Sequence, residues 1–332
     1  MMAMFRTVRP FFITIVCSYV ALLLAALFYS QAHAADARWI WTAALPALLL
    51  EATFYLAATF ESTRATFARM GSPRLQAGVL WFSALLPYFV FSVASGTFAG
   101  QAFCLLLILT GVFSFWHVLL PRRPVFDFGF LIVAAAPIVA GVFKKIYQSP
   151  DPHVQVDVLG HLMWIRVGIM ALLVLRQWDP GRFGLWPRLR EWKIGIFYYL
   201  LVLFPICLLA LGLHDVRFAP LNRDPWQITA VAIGTFFGIL WVVALSEELF
   251  FRGVVTPAVL KVWRSPALAV VVSALLYGSS HLWFQGFPNW RRALVATLLG
   301  LACGAAYLRS GGVRAPMVTH AFVVTTWRIF FR

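Results

Sequence analysis

The stretch LSEELFFRG, residues 245–253, sets Glu247 and Glu248 side by side and Arg252 four positions after the second acid. Two carboxylates and a guanidinium can do acid–base chemistry or can simply neutralise one another. On a helix, residues four apart share a face, while neighbours point about 100° apart. Glu248 and Arg252 therefore stack, with the acid N-terminal to the cation, which is the favourable order. Glu247 points elsewhere and lacks that cation, so it is the carboxylate left over to act as a base. The alternative is a buried ion network that only holds helices together, and these three residues alone leave both readings open.

A histidine extends the pattern. Between the acids and His281 lies VWRSPAL, residues 262–268, which breaks a helix at Ser265 and Pro266. Glu247 lies 18 residues before Ser265 and His281 lies 16 after it. In a helical hairpin both would sit about 24–27 Å from the turn, level with each other on antiparallel neighbours. Spacing thus predicts a Glu247–His281 pair. His320 lies about nine residues beyond the SGG turn at 310–312 and counts as shallower, a mismatch that disappears if the 250–268 hairpin projects about two or three turns into the cytoplasm.

These residues need elements to hold them, and composition dictates which. Hydrophobic residues make up 62% of the 332-residue chain and charged residues 12%, with mean hydropathy +0.84. Soluble domains average about 25% charged residues. The expected fold is all-α: a polytopic transmembrane helix bundle of about 10–11 spans with no sizeable soluble domain. Candidate spans run over 11–29, 39–60, 77–95, 99–120, 127–144, 158–176, 194–213, 227–250, 267–284, 292–309 and 314–331. The segment DPGRFGLWPRLREWK, residues 179–193, divides residues 1–180, an N-terminal helical region, from residues 181–332, which carry most of the polar clusters that look chemical.

The formal charge of +15 comes from Arg and Lys in short loops between apolar runs. They read as topology determinants and headgroup contacts, with no nucleic-acid partner implied. Their excess on one side predicts a cytoplasmic N-terminus. Residues 32–34, AHA, resemble a signal-peptide cleavage site, but the preceding apolar run is long enough to span, so an uncleaved first helix is expected. Cys17, Cys104, Cys207 and Cys303 all lie in apolar runs and suggest neither disulfides nor a thiolate site. Among other in-span ionisable residues, Arg166 calls for a partner, either Glu51 or a carbonyl, with His161 lining the same polar spot. Trp283, Trp290 and other span-end aromatics read as an interfacial belt.

The motifs E-E-x-x-x-R (247–252), YGSSH (277–281) and His320, in this order, resemble those of the CPBP family of intramembrane proteases. That family contains the type II CAAX prenyl endopeptidases (Rce1-like) and bacterial Abi or immunity proteins. The resemblance covers roughly residues 185–331, and LGHLMWIR, residues 159–166, is similar to an exosortase-associated CAAX-protease-related subgroup. It implies an intramembrane endopeptidase in which Glu247 and His281 activate water, Glu248 and Arg252 form a supporting pair, and His320 stabilises the oxyanion.

The family has a polar residue four positions after that last histidine; here it is Val324, which cannot donate a hydrogen bond. The resemblance leaves both a metal-independent glutamate mechanism and a zinc site open, the latter at Glu247, His281 and His320. The metal-independent form is the one expected. The implied partners are the lipid bilayer and a membrane protein or lipid-anchored peptide substrate, in a bacterial inner membrane. Two alternatives stand beside the enzyme: an inactive member serving as a membrane scaffold or immunity-type protein, and a transporter using buried Glu, Arg and His as a proton relay.

Overall fold

Hydrocarbon around a backbone leaves its N–H and C=O groups no partners outside their own segment, which selects helices. A computed structural model describes residues 2–32, 38–151, 154–284 and 286–332. Among them are thirteen helices and no strand beyond isolated bridges. Nine helices in the described residues are long and apolar enough to cross a membrane, so the chain is an all-α polytopic bundle. The AHA motif runs into residues 33 and 34, and the loop SPDPHVQVD includes residues 152 and 153, all outside the described residues.

Among the described residues, nine spans stand where about 10–11 were expected. The segment 127–144 does not form one helix: it ends at Val139, passes through Gly141 with φ +61°, and resumes as a short Val142–Ile146 turn. The segment 314–331 forms a 17-residue helix that is too short and too polar for a lipid-facing span. The acidic segment, by contrast, continues as one helix from Pro225 to Trp263.

The chain divides into two compact units, Met1–Trp178 and Asp179–Arg332. The first holds α1 (Met2–Ala32), α2 (Ile40–Thr59), α3 (Glu61–Ala68), α4 (Pro73–Ala94), α5 (Gly100–Leu119), α6 (Pro124–Val139), α7 (Val142–Ile146) and α8 (Val158–Leu175). Its core includes the Phe113 ring stacked between Phe130 and Trp164, at 4.5 and 3.9 Å.

The second unit holds α9 (Leu189–Gly212), α10 (Pro225–Trp263), α11 (Pro266–Trp283), α12 (Trp290–Ser310) and α13 (Arg314–Phe330). The turn expected at Ser265 forms: Arg264 closes α10 at φ +53°, the Ser265 hydroxyl accepts from Leu268 N–H, and Pro266 opens α11. Helices α11 and α12 meet at small residues. A Cβ on Gly300 would lie 3.0 Å from Ala274, and one on Gly278 would overlap Thr297 and the Ala293 carbonyl. Helix α13 packs on α9, α10 and α12, and Ala315 to Ala321 are all buried. It faces helices instead of lipid, which is why it carries Thr319, His320 and Thr325 on its buried side.

Candidate active site

The acids stand on an irregular part of α10. The turn Leu245–Glu248 is flanked by widened π turns at Ile239–Ala244 and Leu249–Val255. Such turns leave carbonyls free, and here the hydroxyls of Thr256 and Ser273 both donate to Phe251 O, each at 3.0 Å. Ser273 lies on α11, so the bulge is tied to the neighbouring helix.

Glu248 and Arg252 are fully buried and paired, as their spacing predicts. Arg252 Nη1 donates to Glu248 Oε1 at 3.4 Å, and Nε lies 3.2 Å from Oε2, off hydrogen-bond alignment. Nη2 donates to Gly300 O at 2.8 Å. The guanidinium carbon lies 4.8 Å from the centre of the Tyr277 ring. His320 Nδ1 lies 2.9 Å from Glu248 Oε1, so this carboxylate is held from two sides.

Glu247 is different. Its side chain is 31% exposed, and its Oε2 makes no hydrogen bond among the described residues. Its nearest ionisable partner is His320, whose Nε2 lies 3.9 Å away. One imidazole thus spans both acids, bonded to the neutralised one and facing the free one.

Two expectations concern the histidines. No hydrogen bond or ion pair joins Glu247 to His281 among the described residues; His320 is the histidine beside Glu247. The α-helical part of α11 ends at Ser280, and its last turn, opened by His281, is 3₁₀. There His281 Nδ1 lies 2.9 Å from Tyr277 O, and its ring stacks on Phe284 at 5.3 Å. The π turns of α10 and this tightened turn each change rise and direction, which a count at constant rise omits.

Second, His320 is not too shallow. Cys303 Sγ donates to Pro316 O at 3.7 Å, which puts Pro316 level with Cys303. One turn on, His320 is level with Gly300, where Arg252 also arrives.

Tyr277 is the residue that spacing alone passed over. It is 1% exposed and stands between the two histidines, with ring centroids 4.7 Å from His281 and 6.0 Å from His320. The only sequence signal was its place four residues before His281. Val324 lies half-buried one turn beyond His320 and brings no polar atom.

The zinc alternative would place the ion at Glu247, His281 and His320. No group of three His, Cys, Asp or Glu side chains among the described residues is arranged to hold a metal ion. His320 Nδ1 is committed to Glu248, Glu248 to Arg252, and His281 Nδ1 to a backbone carbonyl.

In the first unit, Arg166 finds both partners that the sequence suggested. Its Nε donates to Glu51 Oε1 at 2.7 Å, and its Nη atoms donate to Ser83 Oγ and Ser83 O at 2.9 and 2.8 Å. His161 does not bond to this cluster: its Nδ1 lies 2.9 Å from Asp157 O, one turn back. An apolar groove of about 470 Å³ runs along α9 beside Leu298, and none of its lining residues belongs to the Glu247–Glu248 site.

Comparison with curated proteins and with solved structures gives no match. Among family models, that of the type II CAAX prenyl endopeptidase Rce1-like family matches residues 225–326. This segment runs from the start of α10 into α13 and contains Glu247, Glu248, Arg252, Tyr277, His281 and His320. The part of the chain that builds this site, residues 225–326, is therefore similar to the type II CAAX prenyl endopeptidase Rce1-like family.

Proposed function

We propose that this protein is an intramembrane endopeptidase that hydrolyses a peptide bond of a membrane-associated protein, with residues 181–332 as its protease core. The observation that carries the reading is the division of labour between the two acids. Glu248 is buried and neutralised by Arg252, while Glu247 is part-exposed and its Oε2 makes no hydrogen bond among the described residues. Only the second can take a proton from water.

The tautomers follow from the partners. An ionised carboxylate only accepts, so His320 Nδ1 carries the proton shared with Glu248. In the neutral imidazole, Nε2 is then a lone pair facing Glu247 across 3.9 Å. That spacing suits a water molecule donating to both. Glu247 accepts the proton as the water oxygen bonds to the substrate carbonyl carbon. The C=O π pair moves onto oxygen, and collapse breaks the C–N bond while Glu247 returns the proton to the leaving amine. His281 Nδ1 donates to Tyr277 O, so its Nε2 is likewise an acceptor and serves to orient water or a substrate N–H. No step passes through a metal.

The protein is integral to the membrane. A bacterial inner membrane with the N-terminus cytoplasmic is the setting that the distribution of Arg and Lys supports. A second reading, a catalytically weak member acting as a membrane scaffold or immunity-type protein, is favoured by one observation: Val324 leaves the turn after His320 without a donor. The deciding experiment compares membrane-protein N-termini in cells carrying the wild type or Glu247→Gln. New termini present only with the wild type are expected; identical termini would favour the scaffold.

A further inference from the structure

We infer that the hydroxyl of Tyr277 is the oxyanion donor of this site, supplying the hydrogen bond that Val324 cannot. The inference rests on the endopeptidase reading of the site. A tetrahedral intermediate needs an N–H or O–H aimed at the developing O⁻. The site's obvious candidates are spent. His320 uses its Nδ1–H on Glu248, and His281 uses its Nδ1–H on a backbone carbonyl, so in the neutral imidazoles both Nε2 atoms accept. Arg252 is fully buried and directed at Glu248 and Gly300 O. On α13, the Thr326 hydroxyl pairs with Tyr199, and Thr325 lies more than a turn beyond His320.

Tyr277 remains, and it stands where the donor is needed. Its ring is tilted against His281 and edge-on to His320, with centroids at 4.7 and 6.0 Å. Phe251 packs edge-on at 5.1 Å and Arg252 lies 4.8 Å from the ring centre, so the ring is fixed on several sides. The phenol makes no hydrogen bond to the protein among the described residues. Two of these neighbours lead to the acids: Arg252 is paired with Glu248, and His320 faces Glu247 across 3.9 Å. A donor held rigidly next to the catalytic base costs no reorganisation when the oxyanion forms. As water attacks and the π pair moves to oxygen, the Tyr277 O–H donates to that oxygen and keeps its own proton. When the C–N bond breaks, the carbonyl reforms and the hydrogen bond weakens.

The test measures the rate at which Glu247-dependent N-termini appear in membranes. Tyr277→Phe keeps the ring and its packing and deletes only the donor. The expected loss is about 10²–10³-fold. Adding Val324→Asn to Tyr277→Phe places a donor one turn beyond His320 and is expected to recover at least about tenfold of that loss. A Tyr277→Phe rate within about threefold of wild type overturns the inference. So does a loss that Val324→Asn leaves unchanged, which would make Tyr277 a packing residue. In both cases the endopeptidase reading stands, because the termini still depend on Glu247. Termini that persist in Glu247→Gln overturn that reading and the inference together.

Discussion

His320 and Glu248 lie 72 residues apart in the chain and 2.9 Å apart in space. This bond orients the imidazole so that its other nitrogen faces Glu247. It also makes His320 both a support and a part of the site, and substitutions can separate the two roles. His320→Ala leaves a buried carboxylate oxygen short of a donor and should cost about 1–3 kcal/mol. His320→Asn keeps an N–H near the Nδ1 position but has nothing at Nε2. Melting in detergent should place His320→Asn above His320→Ala, while both lose Glu247-dependent cleavage. Equal melting of the two variants would argue against the bond.

The buried pair predicts an asymmetry between breaking it and removing it. Glu248→Ala leaves Arg252 charged and without its counterion, which should cost about 3–5 kcal/mol and show as lost folded yield. Glu248→Leu combined with Arg252→Met removes both charges and should recover much of that yield without restoring cleavage. A double variant that folds no better than Glu248→Ala would show that the pair is not a coupled unit.

The contact between α11 and α12 depends on absent side chains. Gly278→Ala pushes a methyl against Thr297 and the Ala293 carbonyl and should cost at least about 1–3 kcal/mol. Gly234→Ala, on α10, meets nothing within 4 Å. It should be neutral, or stabilising by up to about 1 kcal/mol. Thermal melting of the two single variants checks the contrast, and a reversed order would refute the close approach.

Asp215, outside the spans, gives a pH dependence. Burial raises its carboxyl above the ordinary value of 3.8, and Arg292 and Arg291 oppose that shift only in part. An acid with a raised folded-state pKa binds its proton more tightly in the folded protein. Its contribution to stability is therefore greatest at low pH and declines as pH rises from 3.8 through the raised value. Melting temperatures taken from about pH 4 to about pH 7 should fall more steeply for the wild type than for Asp215→Asn. Parallel profiles would show that Asp215 does not titrate differently on folding.

The sequence by itself determined what local chemistry fixes. Apolar runs without partners for their backbone must become helices, so the all-α bundle was legible from composition. The Glu248–Arg252 pair was legible because both residues sit on one stretch of helix, where spacing decides the face. The turn at Ser265 was legible because serine caps a helix and proline opens one. In each case the cause lies within a few residues of its effect.

Tertiary structure decided everything that depended on how deep one helix sits against another. Residue counting paired Glu247 with His281, but two π turns in α10 and a 3₁₀ turn at His281 altered the rise that the count assumed. His320 reached Glu248 because α13 packs with Pro316 level with Cys303, a register set by side chains on two helices. The inner position of α13 also explains why 314–331, read as a span in the sequence, forms a shorter and more polar helix than a lipid-facing one, since a helix surrounded by helices has no need of an apolar exterior. Tyr277 entered the site for the same reason: its part in the centre comes from the rings packed around it, and those rings are brought there from α10 and α13 as well as from its own helix.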